Sequence, residues 1–130
     1  MENKEQGYVT VPSRYSVPET LQKMLSIIAG KGLKLFAVID HSGEAEKAGL
    51  SMHPTQLIIF GAPKGGTPVM VAAPTAAIDL PLKTLVWQDD ESNVWVTFNS
   101  PDYLAERHGI PDNLVKNISG VGALVQKALE

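Results

Sequence analysis

The sequence predicts a single α+β domain with about five strands and with its helices packed on one face of the sheet. Short apolar stretches typical of strands alternate along the chain with stretches in which apolar residues recur at helical spacing. The segments 83–87 and 94–98 flank a charged turn, so they form an antiparallel hairpin. A chain of 130 residues, 44% of them hydrophobic, is long enough to bury a core of its own.

The first half of the chain begins with a strand over residues 8–11. Ser16 then starts a helix, because Glu19 completes a capping box and an apolar stripe follows it. This helix ends at about Gly30. The next strand, over 33–39, is almost continuously hydrophobic, which indicates a central strand covered on both faces.

A short helix over 44–48 and a third strand over 56–60 come next. The glycine-rich segment 61–66 is predicted to be a loop. Thr67 is then an N-cap with Pro68 at the first helical position, because proline is favoured there and threonine accepts a hydrogen bond from the helix start.

The second half of the chain continues from the hairpin into two helices. Ser100 caps the first of them, and Gly109 ends it. Asp112 starts the last helix, which carries one apolar stripe. Because Gly120 and Gly122 weaken a helix interior, either the helix breaks there or another backbone packs closely against it.

Composition and charge exclude several classes of protein. Eleven basic and 14 acidic side chains give a net charge of −3, which argues against nucleic acid as a partner. No apolar run reaches the roughly 18 residues of a membrane span, and the polar start lacks a signal peptide. The absence of cysteine excludes disulfides and thiolate metal sites. We expect a cytoplasmic domain over 8–130 behind a flexible segment 1–7, with neither membrane partner nor cofactor.

Several short motifs occur in a fixed order along the chain. They include Phe36-Ala-Val-Ile-Asp-His41, Pro54-Thr-Gln-Leu-Ile-Ile-Phe-Gly61, Pro63-Lys-Gly-Gly-Thr-Pro68 and Tyr103-Leu-Ala-Glu-Arg-His108. With these motifs the chain resembles the bacterial and archaeal family known as domain of unknown function 302, over about residues 8–130.

The resemblance implies a fold like that of the TATA-binding protein, a curved antiparallel sheet of β-α-β(4)-α order with extra short helices. This similarity is one of topology and carries no implication of DNA binding. The resemblance also implies homodimers, and it implies no particular reaction. Ala62 departs from the family pattern, which usually has asparagine in a Phe-Gly-Asn-Pro turn. Any role of that amide in the loop or toward a ligand is in doubt for this chain.

Asp40 and His41 form the first candidate site, an acid–base pair in which His41 is the general acid or base. Neighbouring side chains of a strand point to opposite faces, so the two groups meet only if the chain has already turned. A distant carboxylate is the alternative partner of His41. The structural alternative is that Asp40 or Ser42 caps the helix that follows.

The glycine-rich segment is the second candidate site. It differs from a Walker A loop because Lys64 precedes the glycines instead of following them. Backbone N–H groups of Gly65, Gly66 and Thr67, together with the Lys64 ammonium, could still bind a small anionic ligand at the start of a helix. The alternative is a tight turn that requires glycine.

Arg107 and His108 are the third candidate site. Both suit the negative end of their helix, and the alternative is a position at a pocket rim facing an anion. The three histidines of the chain have no local spacing typical of a metal site, so we expect no metal. Trp87 and Trp95 are predicted in the core or on a dimer surface.

These observations favour a homodimeric module that binds a small molecule or an anion and has no catalysis of its own. In this hypothesis His41 and the residues from Lys64 to Thr67 converge on one hollow. The alternatives are an enzyme that uses His41 as general acid or base, and a structural or interaction dimer domain. Whether any reaction is catalysed stays open at this point.

Overall fold

The computed structural model describes residues 2–3 and 6–130 of the chain. All strands join one antiparallel sheet in the order β1-β2-β6-β5-β4-β3. The strands are β1 (Glu2–Asn3), β2 (Tyr8–Ser13), β3 (Lys34–Asp40), β4 (Thr55–Gly61), β5 (Leu82–Gln88) and β6 (Val94–Asn99). The helices are α1 (Val17–Gly30), α2 (His41–Lys47), α3 (Pro63–Ala72), α4 (Pro101–His108), α5 (Asp112–Val115) and α6 (Val121–Ala128), with a 3₁₀ turn at Pro74–Ile78.

The predicted fold class is confirmed. Apart from the two-residue β1, the described part of the chain has five strands, and its order is β-α-β(4)-α with extra short helices. Residues 1, 4 and 5 of the predicted flexible segment lie outside the described residues, and the flexibility of segment 1–7 stays a prediction.

The main core lies between the sheet and two helices. Side chains of a strand alternate between faces, so Phe60 and Val86 point to the same side as their cross-strand neighbours and are fully buried. Met24 and Ile28 of α1 and Val125 of α6 close this core from above. Each of these side chains contributes roughly 1.5–3 kcal/mol by leaving water.

A second, smaller core lies at one end of the sheet. It brings α3, the 3₁₀ turn, α4 and α5 together around Val69, Ala76, Leu104 and Ile118. Because both cores use the same side of the sheet, the helices that form them leave the opposite side uncovered. We call that side the open face. It is formed by Thr10, Ala37, Ile39, Leu57, Ile59, Lys83, Leu85, Trp87, Trp95 and Thr97.

Several predicted caps and turns are present. The Ser16 hydroxyl accepts a hydrogen bond from the Glu19 N–H at 3.2 Å, and Ser100 caps α4 in the same way. Gly109 follows α4 with φ 65°, a left-handed conformation that glycine adopts without strain. The local sequence therefore determines where these helices begin and end.

The position of β3 corrects one prediction. Its continuous hydrophobicity indicated a central strand, but β3 is the last strand of the sheet, and every residue in it is exposed. Leu35, Phe36, Val38 and Ile39 keep between 36% and 45% of their surface accessible. An apolar run is compatible with a buried strand, but at this sheet edge no part of residues 2–3 and 6–130 buries it.

The start of α3 corrects a second prediction. The helix begins at Pro63 with Ala62 as its N-cap, so the predicted loop forms its first turn and Thr67 is not the cap. Pro68 lies inside the helix. There it removes one backbone hydrogen bond, which in a helix interior costs about 3 kcal/mol.

The last predicted helix is divided into α5 and α6, and Gly120 is the N-cap of α6. A Cβ atom built on Gly122 lies 3.6 Å from the ring of Phe98. The helix therefore breaks at Gly120, as one alternative predicted. At Gly122 a neighbouring group packs closely, as the other predicted, but this group is the side chain of Phe98 and not a backbone.

Candidate functional site

A cavity of about 290 Å³ lies between the edge of the sheet and α3. One wall is the first two turns of α3, including Gly66, Thr67 and Met70. The segment before and into β5 forms another wall, and Asn117 and Ile118 close the third side. Its lining residues are Phe36, Gly61, Ala62, Pro63, Gly66, Thr67, Met70, Leu80, Pro81, Leu82, Asn117 and Ile118.

The lining of this cavity is mostly apolar. It contains no charged side chain, and its polar side chains are those of Thr67 and Asn117. The amide of Asn117 donates to the carbonyl of Gly65 at 3.0 Å, which holds the chain after α5 against α3. A cavity of this character binds uncharged apolar molecules more readily than ions, because burying an ion without a counter-charge is costly.

The start of α3 offers few free N–H groups to an anion. Pro63 has no N–H, and the N–H groups of Gly65 and Gly66 both donate to the carbonyl of Ala62 at 2.9 Å. Ala62 provides no side-chain oxygen to cap the helix. In the first turn only the N–H of Lys64 is left for a ligand.

Only two of the four predicted site residues in the glycine-rich segment border the cavity. Gly66 and Thr67 line the cavity, whereas Lys64 and Gly65 do not. The carbonyl of Gly65 is bonded to Asn117, and a Cβ atom on Gly65 would lie 3.4 Å from the Asn117 carbonyl. Neither Gly65 nor Gly66 has a positive φ, so the structural alternative, a tight turn that requires glycine, is wrong for this segment.

His41 lies far from this cavity, and the predicted common hollow does not exist. Asp40 pairs with Gln56, while Lys34, at the other end of β3, pairs with Gly61. The six residue steps from Lys34 to Asp40 span roughly 20 Å of extended strand. Because β3 and β4 are antiparallel, the residues that follow each strand lie at opposite ends of the pair.

The Asp40 carboxylate caps α2. It accepts hydrogen bonds from the N–H of Gly43 at 2.9 Å and from the hydroxyl of Ser42 at 2.8 Å. These bonds, first the one from Gly43, hold the pKa of Asp40 below its usual value. His41 is exposed at the first position of α2. The arrangement matches the structural alternative, in which Asp40 is a cap.

Arg107 and His108 both bind Asp79. The Arg107 guanidinium donates to Oδ2 at 2.8 Å, and Nε2 of His108 lies 2.5 Å from the same oxygen. The other ring nitrogen of His108 is 2.9 Å from the hydroxyl of Thr75. Only 4% of the His108 side chain is accessible. The pair therefore joins α4 to the 3₁₀ turn, and neither residue lines the cavity beside α3.

Lys83 supports the cavity wall from the other side. Its ammonium donates to the carbonyls of Asp79 at 3.0 Å and Pro81 at 2.9 Å. Burial lowers the pKa of Lys83, and the nearby charge of Asp79 partly opposes this effect. The segment that carries Leu80 and Leu82 is thereby held by side chains at both ends.

Sequence reasoning missed most of the cavity. Phe36 belongs to a register shift between Leu35 and Ala37, which an apolar run does not reveal. The wall before β5 and the contact from Asn117 depend on tertiary packing. Within residues 2–3 and 6–130, no three histidine, cysteine, aspartate or glutamate side chains cluster closely enough to hold a metal ion.

The fold and cavity together define a single α+β domain with a one-sided antiparallel sheet. Residues 9–130 match the family described as Domain of unknown function DUF302. The chain belongs to this family. None of the helices in the described part of the chain has the length and apolar character needed to cross a membrane.

A solved structure and two curated relatives resemble the chain. The crystal structure of the uncharacterized conserved protein DUF302 from Bacillus stearothermophilus has a TM-score of 0.78, 15% identity and 95% coverage of both chains. Proteins named fluoride-specific ion channel FluC 1 from Brucella suis and Brucella abortus are 39% identical over 128 residues. These matches cover 95% of this chain but 50% and 47% of those relatives. The chain thus spans about half the length of each.

Proposed function

We propose that this protein is a homodimeric module that binds a small, uncharged and largely apolar molecule in the cavity beside α3. The observation that carries the proposal is the cavity itself, an apolar space of about 290 Å³ with two polar side chains, Thr67 and Asn117. Ligand sites in proteins commonly combine an apolar lining with a few polar groups that orient the ligand. Catalysis forms no part of the proposal.

The size of the cavity limits the ligand to one or two rings. An engineered cavity of about 150 Å³ with an apolar lining binds benzene, and this one is about twice as large. The lack of charged lining residues disfavours the small anionic ligand expected from Lys64. The polar group of the ligand would meet the Thr67 hydroxyl or the Asn117 amide.

Calorimetric titration with indole and with inorganic phosphate tests the proposal. We expect indole to bind, because it is uncharged and of bicyclic size, and we expect phosphate to give no heat of binding. Binding of phosphate without binding of indole would contradict the proposal and favour the anion site at the start of α3.

Gly66→Leu provides the matched variant. A Cβ atom on Gly66 meets only the Met70 methyl group, at 3.8 Å, so a larger side chain extends into the cavity. We expect loss of indole binding without loss of stability, since leucine favours a helix more than glycine does. Gly30→Leu is the control, because nothing lies within 4 Å of its Cβ position. Equal indole binding by both variants would contradict the cavity as the site.

The dimer and the cytoplasmic location belong to the same proposal. Support for a dimer comes from the apolar side chains that the sheet leaves accessible, such as Leu35 and Phe36. Sedimentation equilibrium of the full chain tests the oligomeric state. Fractionation of cells that express the chain tests its location.

A second candidate function is suggested by the Brucella relatives, which are named as fluoride channels. In this proposal the domain acts together with a fluoride channel. The supporting observation is that the relatives match this chain along only about half of their length. A deletion strain with unchanged fluoride tolerance would contradict this function, and loss of tolerance restored by the chain would favour it.

A further inference from the structure

The open face of the sheet is apolar at its centre. Leu57 pairs with Leu85 across β4 and β5, and Trp87 pairs with Trp95 across β5 and β6. All four side chains keep part of their surface accessible. The two tryptophan rings lie 6.4 Å apart at 31°, so they present one continuous aromatic surface. A patch of this kind on a soluble domain typically marks an interaction site.

Polar groups on the open face are already satisfied within the chain. The indole N–H of Trp87 donates to the Thr97 hydroxyl at 2.9 Å, and that hydroxyl also bonds to Thr10 at 2.9 Å. The indole N–H of Trp95 donates to the Asp89 carboxylate at 2.9 Å. Because these groups need no water, covering the face costs little free energy. The face is thus suited to burial against another surface.

The exposed area of the chain is large enough to include such an interface. The chain exposes 7610 Å², whereas a monomeric protein of 14.0 kDa exposes about 6,700 Å². An interface of standard size buries roughly 800 Å² of each partner, which is a small part of that exposed area.

The charges on the open face favour a second copy as the partner. Lys83 stands at the start of β5, and Asp89 follows its end. Lys34 pairs with Gly61 and lies at the same end as Lys83, so the positive groups of the face are at one end and Asp89 is at the other. When two such faces meet with opposite strand directions, the positive end of each approaches the negative end of the other.

We propose that the open face packs against the open face of a second copy, with the two β5 strands running in opposite directions about a twofold axis. Two sheets packed in this way lie about 10 Å apart with interdigitating side chains. Leu85, near the middle of β5, is then close to the axis. The inference names the interface of the homodimer in the proposed function and rests on that part of it.

Sedimentation velocity of the full chain and two variants tests the interface. Leu85→Glu places two carboxylates near the axis, so we expect the dimer dissociation constant to rise by about 30-fold or more. Leu50→Glu is the matched control, because Leu50 is 69% exposed and lies in the loop after α2, outside the strands that form the open face. The control should remain as dimeric as the wild type.

The outcomes separate the interface from the dimer itself. A wild-type monomer at all concentrations overturns the inference and the homodimer together. If the wild type and Leu85→Glu are both dimers, this interface alone is overturned. The exposed edge strand β3 is then the candidate interface. In either case the indole titration still decides on the cavity independently.

Cross-linking provides a second measurement if Leu85→Glu does not fold. The chain has no cysteine, so Leu85→Cys carries a single reactive thiol. We expect a bismaleimide with a reach of about 10 Å to join two copies through position 85, in keeping with the spacing of packed sheets. Leu50→Cys is the control. Equal cross-linking at both positions, or cross-linking at position 50 alone, overturns the inference.

Discussion

Thr84 and Thr20 are both completely buried, but they differ in hydrogen bonding. The hydroxyl of Thr20 lies 2.7 Å from the hydroxyl of Ser13. Among the described residues, the hydroxyl of Thr84 is a buried polar atom without a hydrogen-bond partner. Replacing each threonine with valine keeps the shape of the side chain and removes the hydroxyl. The two substitutions therefore have opposite expected effects on stability.

The magnitude follows from the cost of burying a hydroxyl. An unsatisfied buried polar group costs about 1–3 kcal/mol, so we expect Thr84→Val to raise the free energy of unfolding by roughly 1–2 kcal/mol. For 130 residues the entropy of unfolding converts each kcal/mol into about 4 °C of melting temperature. Thr20→Val removes the hydrogen bond between the Thr20 and Ser13 hydroxyls and should lower the free energy of unfolding by about 1 kcal/mol.

Urea unfolding followed by far-ultraviolet circular dichroism measures both changes. All samples are compared at one protein concentration, since a dimer's stability depends on concentration. The reasoning is refuted if Thr84→Val is less stable than the wild type, or if both valine variants shift the unfolding midpoint in the same direction. Such a result would mean that the Thr84 hydroxyl has a partner, or that packing differences outweigh the hydroxyl.

Three further predictions concern caps and charges, and urea unfolding measures each of them. Ala62→Asn should stabilise the protein by about 0.5–2 kcal/mol, because the extended N-cap of α3 lacks a side-chain acceptor. Hydrogen bonds, first the one from Trp95, lower the pKa of Asp89. Its contribution to stability is present above the unfolded value near 3.8 and is lost as pH falls through the lower folded value, so Asp89→Asn should flatten the acid-induced decline. His108→Ala should cost about 1–3 kcal/mol, because it leaves Asp79 without a buried partner.

Two of these predictions have a control variant, and the third has an outcome that would contradict it. Ala62→Val adds bulk without an acceptor and should give no stabilisation. Glu91→Gln removes an exposed carboxylate from the same turn and should leave the acid-induced decline in stability as steep as in the wild type. An unchanged free energy of unfolding in His108→Ala would mean that the contact with Asp79 contributes nothing.

Local signals in the sequence were sufficient for much of the fold. Ser16 with Glu19, Ser100 before a proline, and the charged turn between two alternating strands each act within a few residues. Their hydrogen bonds are made within the same turn, so distant parts of the chain do not alter them. The hairpin and the first helix were predicted correctly for this reason.

The sequence was misleading where the structure depends on packing between distant segments of the chain. The apolar run of β3 is the same whether a neighbouring strand, a helix or another molecule covers it. Pro68 is typical of a helix start, yet it lies inside α3, next to Val69, which is buried in the second core. The helix start at Ala62 carries no capping side chain that could have revealed it.

The candidate site was predictable in part. Gly66 and Thr67 line the cavity because the start of a helix after a strand borders the end of a sheet. The expected convergence with His41 was wrong. It required β3 and β4 to end on the same side, but antiparallel neighbours run in opposite directions, so the residues that follow them lie far apart. The residues missed, Phe36 and Asn117, reach the cavity from segments that the sequence does not connect.

The accessible edge of β3 has a consequence for handling the protein. Its outer backbone groups and apolar side chains form a template on which a foreign strand can grow, the first step of cross-β aggregation. Lys34 and Asp40 at the two ends, and the irregular register at Phe36, act as gatekeepers that interrupt such growth. Solubility of this chain at high concentration therefore depends on three positions of one strand as well as on its overall stability.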